Sequence, residues 1–318
     1  MEHYVTLFDS LFLPQGLALH ASMERHAGNF TLWILCVDDT AYEVLNRLAL
    51  ASTRLLQLDK VETSELKQVR EERSRGEYCW TLTPFAPRFV FESDPEVERV
   101  TYLDADMWLR KSPTPIFREL DTSGKSVLIT DHGYAPEYDQ TATSGQFCVQ
   151  FMTFHRERGE GVRKWWEERC IEWCYARSED GKFGDQKYLD DWPERFADEV
   201  HIVQHHEWML APWNSIRFPY GGAIWHHFHG LKIVDEHRFK LSNYSIPNAT
   251  IQSVYRPYLQ DLRTAYVLIR KAGMEPRCQN TWVKAGKLNK IYHAIIGLIH
   301  HRWRYSTLGY IYTDKIDN

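Results

Sequence analysis

The amino-acid sequence predicts an α/β protein with a mostly parallel mixed sheet, helices on both faces of that sheet and a helical extension at the C-terminus. Apolar strand-like segments alternate with amphipathic helical segments along the first part of the chain. The strand segments are apolar at consecutive positions, as in strands covered on both faces. Several of them also end on an aspartate. Because ligands of such sheets bind beyond the carboxyl ends of the strands, we expect the functional groups there.

The first half of the predicted sheet comes from three strands separated by two helices. A strand at 4–9 precedes a helix at 14–27, where Pro14 fits the first helical turn and apolar residues recur at helical spacing. A second strand, a second helix and a third strand follow at 30–38, 40–50 and 53–59. Three aspartates are therefore expected at strand ends: Asp9, Asp38 and Asp59.

The second half begins after a charge-rich helix and loop at 60–80. A helix-like stretch and a turn around Asp94 and Pro95 come next, and the segment RVTYLDADMW at 99–108 contains the following strand. Two more strands are predicted at 125–131 and 145–154. The helix predicted at 160–177 has an apolar stripe, which we expect to pack in the core. Its members are Val162, Trp165, Trp166, Cys170, Trp173 and Cys174.

Length and composition indicate a globular protein of one large domain with an added segment. The chain has 318 residues, 43% of them hydrophobic, and a net charge of −5, so we expect no nucleic-acid partner. The N-terminus lacks the basic start of a signal peptide, and no run approaches the ~20 apolar residues of a membrane span. Six cysteines without metal-site spacing are typical of reduced thiols. We therefore expect a cytoplasmic protein.

A change of charge near residue 240 divides the expected catalytic domain, 1–240, from a basic, largely helical extension, 241–318. Between 263 and 304 the chain has nine basic residues and one acid, Glu275. An amphipathic stretch at 287–304 fits either a helix packed on the domain or an interfacial helix on anionic lipid. The second interpretation would place the protein on the inner face of the cytoplasmic membrane.

Asp104 and Asp106 are the first candidates for chemistry. They follow the apolar run VTYL, so strand alternation is expected to aim both carboxylates to the same side of the sheet edge. Two such oxygen ligands can hold Mg²⁺ or Mn²⁺ against a diphosphate. Asp106 is the favoured direct ligand, and Asp104 could contact the metal through water instead. The alternative is a solvated strand end without metal.

The segment AIWHHFHGLK at 223–232 supplies candidate partners for these carboxylates. A histidine ligand would favour Mn²⁺ over Mg²⁺, with His227 preferred and His229 as the alternative. Gly230 would allow close approach of a phosphate, and Lys232 could neutralise its charge. A zinc site is the weaker interpretation, because the further aspartate and histidine of H-x-H zinc hydrolases are missing.

Asp185 and Gln186 lie in the third candidate segment, GKFGDQKYLDDW at 181–192. On spacing alone, Asp185 could equally be the cap of a helix. The sequence has no G-x-G-x-x-G, no P-loop and no G-x-S-x-G. Dinucleotide oxidoreductases, Walker-type kinases and α/β-hydrolases are therefore not the first choices.

Taken in order, these segments resemble a glycosyltransferase of the Rossmann-like GT-A fold, and within that group the family 8 type that uses nucleotide-diphosphate sugars. The resemblance covers about residues 3–235. It implies that the end of the first strand holds the nucleotide base and ribose through Thr6, Phe8 and Asp9. It also implies a donor-binding arginine before the D-x-D, which Arg88 matches most nearly. Within the D-x-D, Asp104 could hold the sugar and ribose of the donor instead of the metal.

Three later segments extend the resemblance. TSGQFCVQFMTF matches the family's Asn-Ala/Ser-Gly strand start at Ser144 and Gly145, although Thr143 replaces the asparagine. FGDQ is similar to the Asp-Gln segment beside the anomeric carbon, which implies catalytic roles for Asp185 and Gln186. HFHGLK resembles an element whose histidine completes the metal site, with its lysine one residue early.

The predicted function is metal-dependent transfer of a sugar from a nucleotide-diphosphate sugar, UDP-sugar by preference, to an acceptor hydroxyl. The resemblance implies retention of anomeric configuration, although Asp185 could serve as a base for inversion. A glycan or lipid-linked acceptor of bacterial surface-glycan assembly would suit the basic extension. A sugar-nucleotide nucleotidyltransferase and a non-enzymatic carbohydrate-binding protein are the alternatives.

Overall fold

The computed structural model describes residues 1–218, 221–235, 238–279 and the strand 311–313, and its centre is a seven-stranded sheet. Strands of this sheet are β1 (Glu2–Phe8), β2 (Phe30–Cys36), β3 (Thr53–Gln57), β4 (Arg99–Leu103), β6 (Val127–Asp131), β7 (Phe147–His155) and β8 (Val200–Ile202). Their order across the sheet is β3-β2-β1-β4-β7-β6-β8. Only β7 runs against its two neighbours, so the predicted mostly parallel mixed sheet is confirmed.

Helices cover this sheet and fill the connections between its strands. They are α1 (Leu13–His26), α2 (Asp39–Leu48), α3 (Leu58–Val61), α4 (Ser64–Arg70), α5 (Arg75–Leu82), α6 (Phe85–Ser93), α7 (Thr114–Ser123), α8 (Thr141–Ser144), α9 (Glu160–Glu172), α10 (Trp192–Arg195), α11 (Asn248–Thr250) and α12 (Arg256–Lys271). Short 3-10 turns occupy Pro136–Tyr138, Lys187–Asp191 and His206–Trp208, and a π-helical turn at Ile251–Tyr255 leads into α12. No described helix is long and apolar enough to cross a membrane.

Two hydrophobic clusters lie on opposite faces of the sheet. Alternate residues of β1 divide between them, with Val5 packing among α5, α6 and α9 and Tyr4 packing among α1, α2 and α7. Strands buried on both faces need apolar side chains at every position. This requirement explains why the strand segments of the sequence are apolar without a break.

Two smaller sheets extend the domain beyond the main one. The first has the order β5-β10-β9 and consists of β5 (Met107–Leu109), β9 (Met209–Leu210) and β10 (Trp225–His227). The second has the order β11-β12-β13 and consists of β11 (Lys232–Asp235), β12 (Arg238–Lys240) and β13 (Ile311–Thr313). Strand β13 therefore pairs with β12, and β12 pairs in turn with β11, which follows the histidine segment 223–232.

The described part of the C-terminal extension packs on the sheet domain. Helix α12 lies along α1, where Arg25 forms an ion pair with Asp261, and Trp108 of β5 donates a 2.8 Å hydrogen bond to the same carboxylate. The expected helical character is confirmed for α12. The predicted membrane-binding stretch, 287–304, lies outside the described residues, and the boundary at residue 240 stays a prediction.

Two sequence-based boundaries were wrong. The third strand ends at Gln57, and Asp59 lies exposed on α3, because the chain turns into a helix immediately after the strand. The helix predicted at 160–177 ends at Glu172, since Trp173 adopts an extended conformation. The stripe Val162, Trp166 and Cys170 is nevertheless buried as expected.

Candidate active site

Asp104 and Asp106 lie in a tight turn and not on a straight strand. Strand β4 ends at Leu103, and the amide of Met107 donates to the carbonyl of Asp104 at 3.1 Å to close the turn. The chain then continues as β5. The turn, and not the strand alternation expected from the sequence, therefore sets the directions of the two carboxylates.

His227 reaches this turn through strand pairing. Strand β10 runs antiparallel to β5 and places His227 opposite Met107, next to Asp106. The amide of Phe228 donates to the carbonyl of Asp106 at 3.0 Å and ties the two segments further. Alternation along β10 sends His226 to the other side, where it is buried against Phe228 and Tyr255.

The three side chains form a compact group of potential metal ligands. His227 Nε2 lies 3.1 Å from Asp106 Oδ1 and 3.7 Å from Asp104 Oδ2, and one ligand atom from each residue lies within 4.8 Å of the others. His229 stands 5.7 Å from His227 between ring centroids and packs edge-on against Trp213. Two carboxylates and an imidazole suit a divalent cation such as Mn²⁺ or Mg²⁺. The structure thus brings His227, and not His229, into the group.

Neighbouring groups hold these ligands and set their charge. Tyr102 donates a 2.9 Å hydrogen bond to Asp104 Oδ1, and His227 Nδ1 lies 2.7 Å from Gln150 Oε1. Burial raises the pKa of Asp104, and the adjacent Asp106 raises it further against the opposing effect of His227. Burial also acts to raise the pKa of Asp106, but the closer His227 lowers it overall. Asp106 is therefore the more readily ionised carboxylate of the pair.

Asp185 is a buried acid beside this group. Its side chain is only 2% exposed, and its Oδ2 atom has no hydrogen-bond partner among the described residues. Burial raises the pKa of Asp185 well above its ordinary value, and the nearby Cys174 and Asp104 raise it further. The 3-10 helix that follows has Gln186 at its N-cap position, so Asp185 is not the cap. Asp185 is a buried carboxyl whose surroundings favour its neutral form and which could contact a substrate.

Gln186 contacts Ser144, one of the predicted sugar-binding residues. Its side-chain amide donates a 2.6 Å hydrogen bond to the carbonyl of Ser144. The next residue, Gly145, has φ +105°, and a Cβ there would lie 3.1 Å from a carboxylate oxygen of Asp190. A glycine is required at this position for both reasons. The two motifs predicted from the sequence, TSG and FGDQ, therefore meet in the fold.

Asp9 stands at the end of β1 in a separate charged cluster. Its carboxylate accepts hydrogen bonds from the amides of Leu11 and Phe12 at 2.8 and 3.1 Å and forms an ion pair with Arg75. Arg75 also contacts Asp38 at 2.7 Å, so one guanidinium bridges the carboxyl ends of β1 and β2.

The other two predicted residues of β1, Thr6 and Phe8, have buried side chains. The Phe8 ring packs so closely on α1 that a Cβ on Gly16 would clash with it. Of the three predicted nucleotide-binding residues, Asp9 therefore presents its polar group at the strand end, and contacts from Thr6 and Phe8 stay predictions.

The remaining predicted donor-binding residues are Arg88, Gly230 and Lys232, and none of them belongs to the group of three potential metal ligands. Arg88 contacts Glu92 at 2.7 Å and Glu167 at 3.7 Å, so its guanidinium is engaged between α6 and α9. Lys232 begins β11 directly after the histidine segment. Gly230 has φ +75°, a backbone conformation that favours glycine, although there is open space where a Cβ would stand. Donor contacts by all three stay predictions.

The sequence analysis missed two residues that organise this edge of the sheet. Gln150 is buried in the middle of β7, where a polar residue inside an otherwise apolar run was the available signal. Arg75 lies at the start of α5, inside the charge-rich segment 60–80, and nothing local distinguishes it from its charged neighbours.

Comparisons with known proteins identify relatives and a shared fold. No protein-family model matches the chain. The uncharacterized protein YfnD of Bacillus subtilis (strain 168) is 31% identical over 281 residues, 82% of this chain and 88% of that protein. The uncharacterized protein YfnF of the same strain is 31% identical over 256 residues, 74% of this chain and 84% of that protein.

Among solved structures, the galactosyltransferase LgtC in complex with donor and acceptor sugar analogs matches with a TM-score of 0.51 and 12% identity, over 83% of this chain and 95% of that one. The glycosyltransferase GlyE of Streptococcus pneumoniae TIGR4 matches with a TM-score of 0.50 and 14% identity, over 85% of this chain and 62% of that one. These matches confirm the GT-A fold predicted from the sequence. The chain belongs to the family of the Bacillus subtilis proteins YfnD and YfnF.

Proposed function

We propose that the protein is a metal-dependent glycosyltransferase that moves a sugar from a nucleotide-diphosphate sugar to an acceptor hydroxyl. The observation that carries this proposal is the convergence of Asp104, Asp106 and His227 at the carboxyl edge of a GT-A sheet. This edge is where ligands of open α/β sheets bind. LgtC, whose structure contains donor and acceptor sugar analogs, has the same fold and supports the proposal.

The three ligands would hold Mn²⁺ or Mg²⁺. Such an ion, when bound, would stabilise the negative charge that develops on the leaving nucleoside diphosphate. The protein's own groups prepare the site for it. Asp104 and Asp106 supply hard oxygen atoms that are partly exposed, with side chains 26% and 19% accessible, whereas His227 is enclosed. The carboxylates can thus be reached from solvent while the imidazole stays fixed.

The cluster around Asp9 and Arg75 would bind the nucleoside. Asp9 is held by backbone amides and by Arg75, so its carboxylate has a fixed position at the end of β1. A fixed carboxylate can accept a hydrogen bond from a base N–H or a ribose hydroxyl. Uracil has a suitable N–H group, so this site is compatible with UDP as the nucleotide of the donor. Gly230 and Lys232, which follow His227, would face the diphosphate.

Asp185 and Gln186 would bind the transferred sugar beside the reacting carbon. Burial favours the neutral form of Asp185, which can donate a hydrogen bond to a sugar hydroxyl, and a nearby cation would favour the ionised form. This preference for the neutral form weighs against a general base in the free enzyme and favours retention of configuration. Gln186, fixed on Ser144, would hold the sugar or the acceptor in place.

The acceptor would be a glycan or a lipid-linked sugar, as in bacterial surface-glycan assembly on the inner face of the cytoplasmic membrane. The basic composition of 263–304 supports this part of the proposal.

Charge variants are a better test of the membrane role than a deletion, because deleting the C-terminus would also remove β13. Changing Lys284, Lys287 and Lys290 to glutamine should weaken binding to anionic vesicles and leave turnover of a soluble acceptor unchanged. Unchanged vesicle binding would contradict the membrane role.

A panel of nucleotide sugars tests the activity. The purified protein should show thermal stabilisation and slow hydrolysis with one UDP-sugar in the presence of Mn²⁺, and a chelator should abolish both effects. A nucleotidyltransferase would instead consume a nucleoside triphosphate and a sugar phosphate. A carbohydrate-binding protein would bind glycans without metal. Either of those results, with no response to any nucleotide sugar, would refute the proposed transferase.

A further inference from the structure

We propose that Gln150 is a positioning residue of the metal site, which fixes the His227 ring so that Nε2 faces Asp104 and Asp106. This inference rests on the proposed function, because it concerns the same three ligands. It adds a residue that contacts no metal itself. The side-chain oxygen of Gln150 lies 2.7 Å from His227 Nδ1, a normal hydrogen-bond distance.

The chemistry of the two groups sets the direction of this bond. An amide oxygen only accepts, so His227 Nδ1 must carry the hydrogen. The imidazole that binds a metal ion is neutral and has one N–H, so the other nitrogen presents its lone pair to the metal. That nitrogen, Nε2, is the one 3.1 Å from Asp106 and 3.7 Å from Asp104. Gln150 thereby selects the tautomer and the ring orientation that a metal ligand needs.

The position of Gln150 in the sheet explains how it reaches the ring. Strand β7 shifts its register against β6 between the pairs Leu128–Thr153 and Thr130–Cys148. Across this irregularity, Val149 and Met152 both pack in the same hydrophobic cluster, although regular alternation would place them on opposite faces. Such irregularities redirect side chains near functional sites. Gln150 lies within this one.

The main chain of Gln150 makes a second link to the site. Its carbonyl accepts the amide of Asp104 at 3.1 Å, which continues the β4–β7 ladder into the turn. One buried residue therefore holds two ligands that are far apart in the sequence. Substitution of Gln150 removes its side-chain bond to His227 and keeps its backbone bond to Asp104. The contribution of the side-chain bond to metal affinity can therefore be measured separately. A buried amide also needs a hydrogen-bond partner, and His227 provides it.

The test is Mn²⁺ affinity of the full-length protein, measured from the electron paramagnetic resonance signal of free Mn²⁺ without any turnover. Gln150→Met has a similar volume but no acceptor and should weaken binding about 10- to 100-fold. Gln150→Glu keeps an acceptor and should stay within about threefold of the wild type. Thr153→Val is the matched control, because it removes a buried side-chain bond between β7 and β4, Thr153 to Thr101 at 2.9 Å, and should not change affinity.

Wild-type affinity in a folded Gln150→Met protein would overturn the inference, as would an equal loss in Thr153→Val, which would indicate general disturbance of the strand. Absence of Mn²⁺ binding by the wild type would contradict the proposed function as well. If Gln150→Met does not fold, nitrogen NMR of the wild type loaded with diamagnetic Cd²⁺ decides. The expected spectrum has the hydrogen of His227 on Nδ1, and a hydrogen on Nε2 would overturn the inference.

Discussion

Two pairs of aspartates stand at the same edge of the main sheet, and their surroundings differ. Asp9 and Asp38 end β1 and β2, and the guanidinium of Arg75 bridges them. Asp104 and Asp106 follow β4, and within the described residues the group that pairs with them is an imidazole, His227, with no arginine or lysine in contact. The first pair has its counter-charge within the chain. The second has a partner that can be neutral.

This difference indicates which pair is suited to a metal ion. A cation that approached Asp9 and Asp38 would have to displace Arg75, and Asp38 is further committed to Ser10 and to the start of α2. Close carboxylates repel each other, and a divalent ion relieves that repulsion. An imidazole, unlike a guanidinium, can release its proton and become a metal ligand. The acidic pair that contacts His227 is therefore the candidate metal site, and the pair bridged by Arg75 is a candidate nucleoside site.

The largest expected effect is loss of activity in Asp106→Asn. Removing this carboxylate takes away the ligand closest to His227, so sugar-nucleotide turnover should fall at least about 1000-fold, since even supporting residues of metal sites contribute 10- to 100-fold. Asp59→Asn is the matched control, because Asp59 is exposed on α3. Turnover of Asp59→Asn should equal that of the wild type. Substantial turnover in Asp106→Asn would contradict the metal assignment.

Asp185→Asn should lower kcat about 100- to 1000-fold, the range for a polar group that acts on a transition state. Its Mn²⁺ affinity should stay unchanged, because Asp185 is not among the three ligands. Parallel measurements of kcat and of Mn²⁺ affinity check this separation. A loss of Mn²⁺ affinity equal to the loss of kcat would show that Asp185 belongs to the metal site.

The same variant should be more stable than the wild type at neutral pH. The folded-state pKa of Asp185 is raised by burial, so the free energy of unfolding of the wild type falls as pH rises above about 4, the ordinary pKa of an unfolded aspartate. The asparagine side chain of the variant does not titrate. Denaturant unfolding of both proteins without metal should show a stability difference in favour of Asp185→Asn that grows as the pH rises above about 4. A constant difference would contradict the raised pKa.

The smallest expected effect is that of Arg75→Gln on stability. The side chain is 53% exposed, so solvent screens its ion pairs and their loss should lower the free energy of unfolding by about 1 kcal/mol or less. Donor affinity should fall, because Asp9 loses its fixed position. Mn²⁺ affinity should not change. A reduced Mn²⁺ affinity would remove the distinction between the two aspartate pairs.

The parts of the molecule that follow from local patterns were predictable from the sequence. The first three strands, α1 and α2 alternate within about 55 residues, and each shows its own apolar period. The placement of Asp9 and Asp38 beyond β1 and β2 followed directly. Asp59 does not lie at a strand end as predicted, because a helical turn begins at Leu58 and carries Asp59 away from the end of β3.

Contacts between distant segments could not be read from the sequence in the same way. His227 meets Asp106 because β10 pairs with β5, and no local period specifies that pairing. The bridge of Arg75 and the contact of Gln150 with His227 also join separate segments. The family resemblance supplied the ligand set, and the structure supplies the residues that hold it.

Mn²⁺ titration of three proteins tests the central claim most directly: the wild type, Asp106→Asn and Asp9→Asn. Each substitution removes one carboxylate charge from one of the two pairs at the same edge of the sheet. We predict that the wild type binds one Mn²⁺, that Asp9→Asn binds it with the same affinity and that Asp106→Asn does not bind it. Retained binding in Asp106→Asn together with loss in Asp9→Asn would contradict the account.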